Sequence, residues 1–339
     1  MIRVLAIPLT LVILVLTGLS VIYSVNIGSE TLDSDAVRQV LLSHLGWDVG
    51  PPDEAIEAIV WQLRLPRALL AVVVGAGLSI AGAAMQTLVR NPLADPYLLG
   101  VSAGASVGAT AVITFGILTS AFGLWAISVG ALFGSLAAAV AVYLVSMAQG
   151  GLSGVVLSSA FSAIASFLVF KSPDPRAAQS VLFWLLGSVS GAQWDRIPLS
   201  TGVVVICLIL LLLASRWLDA LAVGPDTAAA LGIPVGALRQ GLFVLLAVLV
   251  GVLVAVSGGI GFVGLVIPHL CRMVVGSLHY RVLPLAAAFG GLFMLWVDVA
   301  SRVIVAPAEI PLGVVTGLIG APVFLVVMGR RSYEYGGAA

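Results

Sequence analysis

Long apolar blocks and short polar interruptions alternate along most of this chain. The blocks fall at 4–24, 63–89, 122–147, 152–170, 197–215, 237–256, 262–276, 282–303 and 311–329, with one more starting inside 90–108. A helix needs about 20 apolar residues to cross the hydrocarbon core. The pattern therefore predicts about ten transmembrane helices. Two polar stretches break the rhythm. Residues 25–62 carry Glu30, Asp33, Asp35, Asp48, Asp53, Glu54 and Glu57 against Arg38 alone, which predicts an extracytoplasmic loop with a short helix of its own. The second stretch runs from Arg216 to Arg239. There Gly224 can begin a helix, Pro225 suits its first position and Asp226 its positive end, while Gly232 and Pro234 stop it after about two turns. A helix that short cannot span a bilayer, so the stretch reads as a handle outside the membrane. A further short helix is expected at the outer face near 177–190.

Composition agrees with the pattern. Hydrophobic residues make up 61% and charged residues 9%, against roughly 25% charged in a soluble domain, and mean hydropathy is +1.19. The chain is an all-α integral membrane protein with one transmembrane domain over 1–339. In order, this is a first span at 4–24, the loop 25–62, spans two to six within 63–215, the handle 216–239 and spans seven to ten within 240–329. The first apolar run exceeds a signal-peptide core of about 7 to 15 residues and no clear cleavage site follows, so it reads as a retained span. An even number of spans puts both termini on one side, and Arg330 with Arg331 assigns that side to the cytoplasm. With 15 basic and 15 acidic residues, nothing argues for nucleic acid or a polybasic grip on lipid.

Candidate chemistry is sparse. Cys207 and Cys271 lie within apolar segments, which is neither a disulfide framework nor a thiolate metal site. His269, Cys271 and His279 are near one another in sequence, but a zinc site needs three or four convergent ligands. No metal site is expected. There is no phosphate-binding GxxxxGK[ST] loop, and the single lysine, Lys171, sits in an apolar context. Signatures of an intramembrane protease are absent too. An ion-coupled transporter would place carboxylates at mid-membrane depth, and only Asp298 answers that description. Gly100, Gly104 and Gly108 recur every four residues and predict a smooth face where another helix approaches closely. Arg64 and Arg67 flank Pro66 at the outer start of span two, where snorkelling is the plain explanation. Asp298 precedes Arg302 by four residues, the spacing of a helix-face ion pair.

The stretches LRLPRALLAVVVGAGLSIAGAAMQTLVRNPLADPYLLGVSAGASVGA, FWLLGSVSG, GFVGLVIPHLCRMVVGSLHYRVLPLAAAFGG and DVASRVIVAPAEIPLGVVTGLIGAPVF, together with the handle, resemble the permease subunits of binding-protein-dependent ABC importers for ferric siderophores, haem and cobalamin. Order and spacing run in parallel from about residue 55 to 328. The resemblance implies a ten-helix subunit of the cobalamin-importer-permease type that pairs with a copy of itself or a close paralogue. It also implies two cytoplasmic ATPase subunits that bind ATP and magnesium, and a separate extracytoplasmic substrate-binding protein, in a bacterial inner membrane. The chain itself is then neither an enzyme nor a cofactor carrier. Ferric siderophores are the first expectation for the cargo, with haem or cobalamin as the alternative. In such importers the positions matching Gly224, Pro225, Asp226, Ala228, Leu231 and Gly232 couple to the ATPase. Those matching Asn91 and Leu93 form a cytoplasmic gate, with a second gate element near Ser153 and Gly154. Arginines at the places of Arg64, Arg67 and Arg302 receive carboxylates from the binding protein.

Overall fold

The computed structural model describes residues 6–28, 32–149, 153–172 and 174–329. Among these, the regular elements are all helical. The helices that matter below are α1 (Ala6–Asn26), α2 (Ser34–His44), α3 (Glu54–Val89), α4 (Val101–Phe115), α5 (Ala126–Gln149), α6 (Ser153–Phe170), α7 (Pro175–Leu185), α8 (Ile197–Leu213), α9 (Ser215–Val223), α10 (Pro225–Ala230), α11 (Val235–Ser257), α12 (Val263–Val275), α13 (His279–Val303) and α14 (Leu312–Gly329).

Each apolar block of the sequence holds a helix, but the helices differ in length. Among the described residues, five are long and apolar enough to cross a membrane: α1, α3, α11, α13 and the stretch Thr119–Val145 that contains most of α5. α8 and α9 qualify together but are bent by 63° at their junction. The apolar parts of α4, α6, α12 and α14 are shorter.

Two expected boundaries shift. The helix of the second span, α3, begins not at 63 but at Glu54, because the Asp53 side chain accepts hydrogen bonds from the Ala55 and Ile56 N–H groups and caps it there. It then passes through a π-helical turn, Ala58–Arg64, before continuing as α-helix. Similarly, the handle is more than one short helix. Its first part, Ser215–Val223, is already helical and continues from α8 after a single residue, Ala214.

α3 is the centre of the bundle. It packs on α8, α11, α12 and α13, and its lower half is buried through small residues, including Gly75, Gly77, Ala81, Gly82, Ala83 and Ala84. The approach is close enough to need glycine: a Cβ on Gly82 would stand 1.8 Å from the Gly264 carbonyl oxygen of α12. In a lipid environment this packing is the main source of helix association, since lipid tails are as apolar as leucine. α1, by contrast, lies on the outside of α13 with few of its residues buried.

The connections sort into two ends. One gathers the C-terminal ends of α1 and α13 and the start of α3's α-helical portion. The opposite end gathers the C-terminal end of α3, the start of α13, and α9 with α10.

Candidate coupling and gate site

At the handle end, α10 is set by local chemistry. Pro225 occupies its first turn with Asp226 beside it. Gly224 at φ 165 is simply extended, whereas Gly232 at φ 78 takes the left-handed conformation that glycine adopts without strain. The Gly232 and Ile233 N–H groups donate to the carbonyls of Ala229 and Ala228 and close the helix. Ala228 is buried against the protein, while Leu231 and Val223 are each 68% exposed. The handle thus offers apolar side chains to solvent at both ends of a six-residue helix.

The handle is tied to the bundle by side chains that pattern reading did not single out for this purpose. His279, 2% exposed, begins α13. Its backbone N–H donates to Asp219 Oδ1 at 2.9 Å, and its Nδ1 lies 2.5 Å from the same oxygen. Its Nε2 lies 2.7 Å from Thr87 Oγ1, near the end of α3, and the Thr87 hydroxyl also reaches the Ala83 carbonyl at 3.1 Å. Beside it, Arg272 of α12 reaches Gln86 Oε1 and the Ala83 carbonyl. Gln86 in turn donates to the Leu265 carbonyl at 3.1 Å.

Directly after α3 comes the expected gate turn. Arg90 closes the helix in the left-handed conformation, φ 54, and its guanidinium donates to the Val223 carbonyl at 3.4 Å. The Asn91 N–H donates to the Gln86 carbonyl, and the Asn91 side chain accepts from the Leu93 N–H at 2.9 Å. Leu93 itself is exposed. The connection then dips inward, where the Tyr97 hydroxyl donates to the Ile260 carbonyl at 2.9 Å and accepts from the Ile260 N–H at 2.7 Å. Ser153 and Gly154 begin α6, and their side chains lie outside the described residues.

The glycine face divides. Gly104 and Gly108 press on α5, where a Cβ would stand 2.3 Å and 1.9 Å from the carbonyl oxygens of Gly134 and Gly130. Gly100 does not belong to that face. It precedes α4 at φ 71 and makes the turn instead.

At the opposite end, Arg64, Arg67 and Arg302 are 8%, 8% and 6% exposed. Arg67 Nε donates to Asp298 Oδ1 at 2.8 Å, and its Nη1 to Glu309 Oε1 at 2.7 Å. Arg302 Nε lies 3.2 Å from Asp298 Oδ2, and its Nη1 donates to the Ile27 carbonyl at 2.9 Å. Arg64 Nη1 donates to the Val25 carbonyl, also at 2.9 Å. The three guanidinium groups are engaged inside the chain, so the geometry does not display the arginines ready for a partner's carboxylates that the sequence leads one to expect. Glu309, the partner of Arg67, also lines a cavity of about 590 Å³ whose lining includes Trp184, Ser188, Ser190 and Arg196. Among the described residues, no three His, Cys, Asp or Glu side chains converge on a point that could hold a metal.

A glycine-packed bundle of apolar helices, several long enough to span, carrying a small exposed helical handle at one end, defines a multi-pass membrane protein. The chain belongs to the FecCD transport family, whose model matches residues 13–330, and is thus an ABC importer permease of that family. It is 41% identical to the hemin transport system permease of Yersinia pestis over 287 residues, 82% of this chain and 85% of that one. It is 40% identical to the vitamin B12 import system permease of Vibrio cholerae, covering 81% and 84%. Its structure is similar to that of a metal-chelate type ABC transporter in an inward-facing conformation, with a TM-score of 0.82 and 34% identity over 96% of this chain and 99% of that one.

Proposed function

We propose that this chain is the membrane-spanning subunit of an ATP-driven, binding-protein-dependent importer of ferric siderophores. Two copies, or one copy and a close paralogue, enclose the path. Two ATPase subunits, which bind ATP and magnesium, seat on the handle from the cytoplasm, and an extracytoplasmic binding protein delivers the chelate. The membrane is the bacterial inner membrane, with both termini in the cytoplasm.

The observation that carries this reading is the handle. A six-residue helix with Val223 and Leu231 exposed beside it sits between two apolar segments. Apolar side chains held in water at the tip of a membrane protein suit the groove of a soluble partner. The chain has no nucleotide-binding loop of its own, so the energy comes through that contact. The exposed apolar side chains Phe167 and Phe170 on α6 and Leu318 and Leu325 on α14 suit a second copy or lipid. The cavity beside Ser188 and Ser190, with a few hydroxyls, one arginine and one carboxylate, suits weak contacts with a large chelate in transit. A tight site there would slow release.

A second reading, haem import, is favoured by the hemin permease relative. The deciding experiment compares cells with and without the gene, supplied separately with labelled ferric siderophores, haem and cobalamin. Selective loss of ferric-siderophore uptake is the expected result. Intact siderophore uptake with lost haem or cobalamin uptake would keep the architecture and reject the cargo.

A further inference from the structure

The buried imidazole of His279 touches both the handle's stalk, at Asp219, and the helix that ends at the gate turn, at Thr87. We propose that His279 is a positioning residue that transmits movement of the handle to the gate, by holding Asp219 of α9 and Thr87 of α3 at once. The inference rests on the coupling reading above and adds the route by which coupling passes through this chain.

Three observations support it. First, the contacts are short: 2.5 Å and 2.9 Å to the part-buried Asp219 Oδ1 and 2.7 Å to the buried Thr87 Oγ1, with His279 only 2% exposed. The Thr87 contact is costly to break because its buried groups have no water to replace the lost partner. Second, both partners adjoin the segments that the coupling reading sets in motion. Asp219 lies on α9, and a single residue, Gly224, separates α9 from the coupling helix α10. Thr87 lies in the last turn of α3, where the Arg90 N–H donates back to the Thr87 carbonyl at 3.2 Å. Asn91 and Leu93 follow at once. Third, the other contacts between α9 and α3 are weaker or less directional. Arg90 reaches the Val223 carbonyl at 3.4 Å in an exposed position, where water competes. Leu218 and Leu221 of α9 are buried by apolar packing. They allow sliding, whereas the hydrogen-bonded imidazole fixes register.

The test uses the permease purified with its ATPase subunits, in a background with Cys207 and Cys271 replaced by alanine. Spin labels are placed at Trp217→Cys, an exposed position of α9 outside the handle's apolar contact, to report the stalk and, separately, at Leu93→Cys to report the gate, and distances between the two copies are measured with and without ATP. In the unsubstituted protein both distances shift. Thr87→Val removes only the hydroxyl and should leave the stalk shift in place while abolishing the gate shift. His279→Ala should do the same, and the double variant should be no worse than either single one, since both break one link. If the gate shift survives Thr87→Val, or if stalk and gate shifts vanish together, the proposal is overturned; the second result would make the contact a matter of folding only. A stalk that stays still in the unsubstituted protein would overturn the coupling reading itself, and this inference with it.

Discussion

Arg67, on a different helix and 231 positions away in sequence, holds Asp298 at 2.8 Å, closer than Arg302 does at 3.2 Å from one turn along the same helix. The i,i+4 pair visible in the sequence is thus half of a bridge between α3 and α13. Asp298 is fully buried, and breaking a buried ion pair from one side leaves an uncompensated charge.

Asp298→Ala is accordingly expected to destabilise the protein by about 3 to 5 kcal/mol, the usual cost of breaking a buried pair. Glu309→Gln, at a carboxylate whose side chain is 44% exposed, should cost about 1 kcal/mol or less. Thermal unfolding in detergent distinguishes them, and equal effects would mean that burial is not the deciding factor.

Charge reversal at Arg64, Arg67 and Arg302 together separates a docking role from a structural one. Because all three are buried and engaged inside the chain, the variant should lose capture by the binding protein and assembly with the ATPase at the same time. Loss of capture with assembly intact would restore the docking role for these arginines.

On the handle, Asp226→Arg combined with Leu231→Asp should abolish co-purification with the ATPase while shifting the melting temperature by no more than a few degrees, since exposed substitutions change stability by about 0.5 kcal/mol or less. Undiminished transport by this variant would reject the handle as the coupling contact.

Gly82→Val should be severe. The added Cβ meets backbone of α12 rather than a flexible side chain, so the two helices must separate. Overpacking of this sort costs about 1 to 3 kcal/mol and can cost more. Gly236, which has open space around it, is the control, and Gly236→Ala should be close to neutral in the same melting assay.

What the sequence made legible is what depends on neighbours in the chain. The handle could be delimited because Pro225, Asp226 and Gly232 act within one or two turns, and the apolar blocks located every long helix. The start of α3 was misplaced because Asp53 caps a polar first turn that carries no hydropathy signal. The contacts of His279 were not legible, since Asp219 and Thr87 lie 60 and 192 positions away. The same holds for the arginines: their residue type suggested a docking surface, and only the fold shows that Asp298, Val25 and Ile27 already hold them. Gly100 shared the four-residue spacing of Gly104 and Gly108, and spacing alone does not reveal where a helix starts.

The 63° bend between α8 and α9 gives the handle a crank. With nine residues at about 1.5 Å each, α9 is an arm roughly 13 Å long, so turning it by roughly 10° about Ala214 carries its tip by about 2 Å. Asp219 lies near the middle of that arm and would travel roughly half as far. The geometry exchanges distance for force: a broad, soft push at the protein's edge arrives at His279 as a smaller and firmer displacement, on the scale by which packed helices slip past one another.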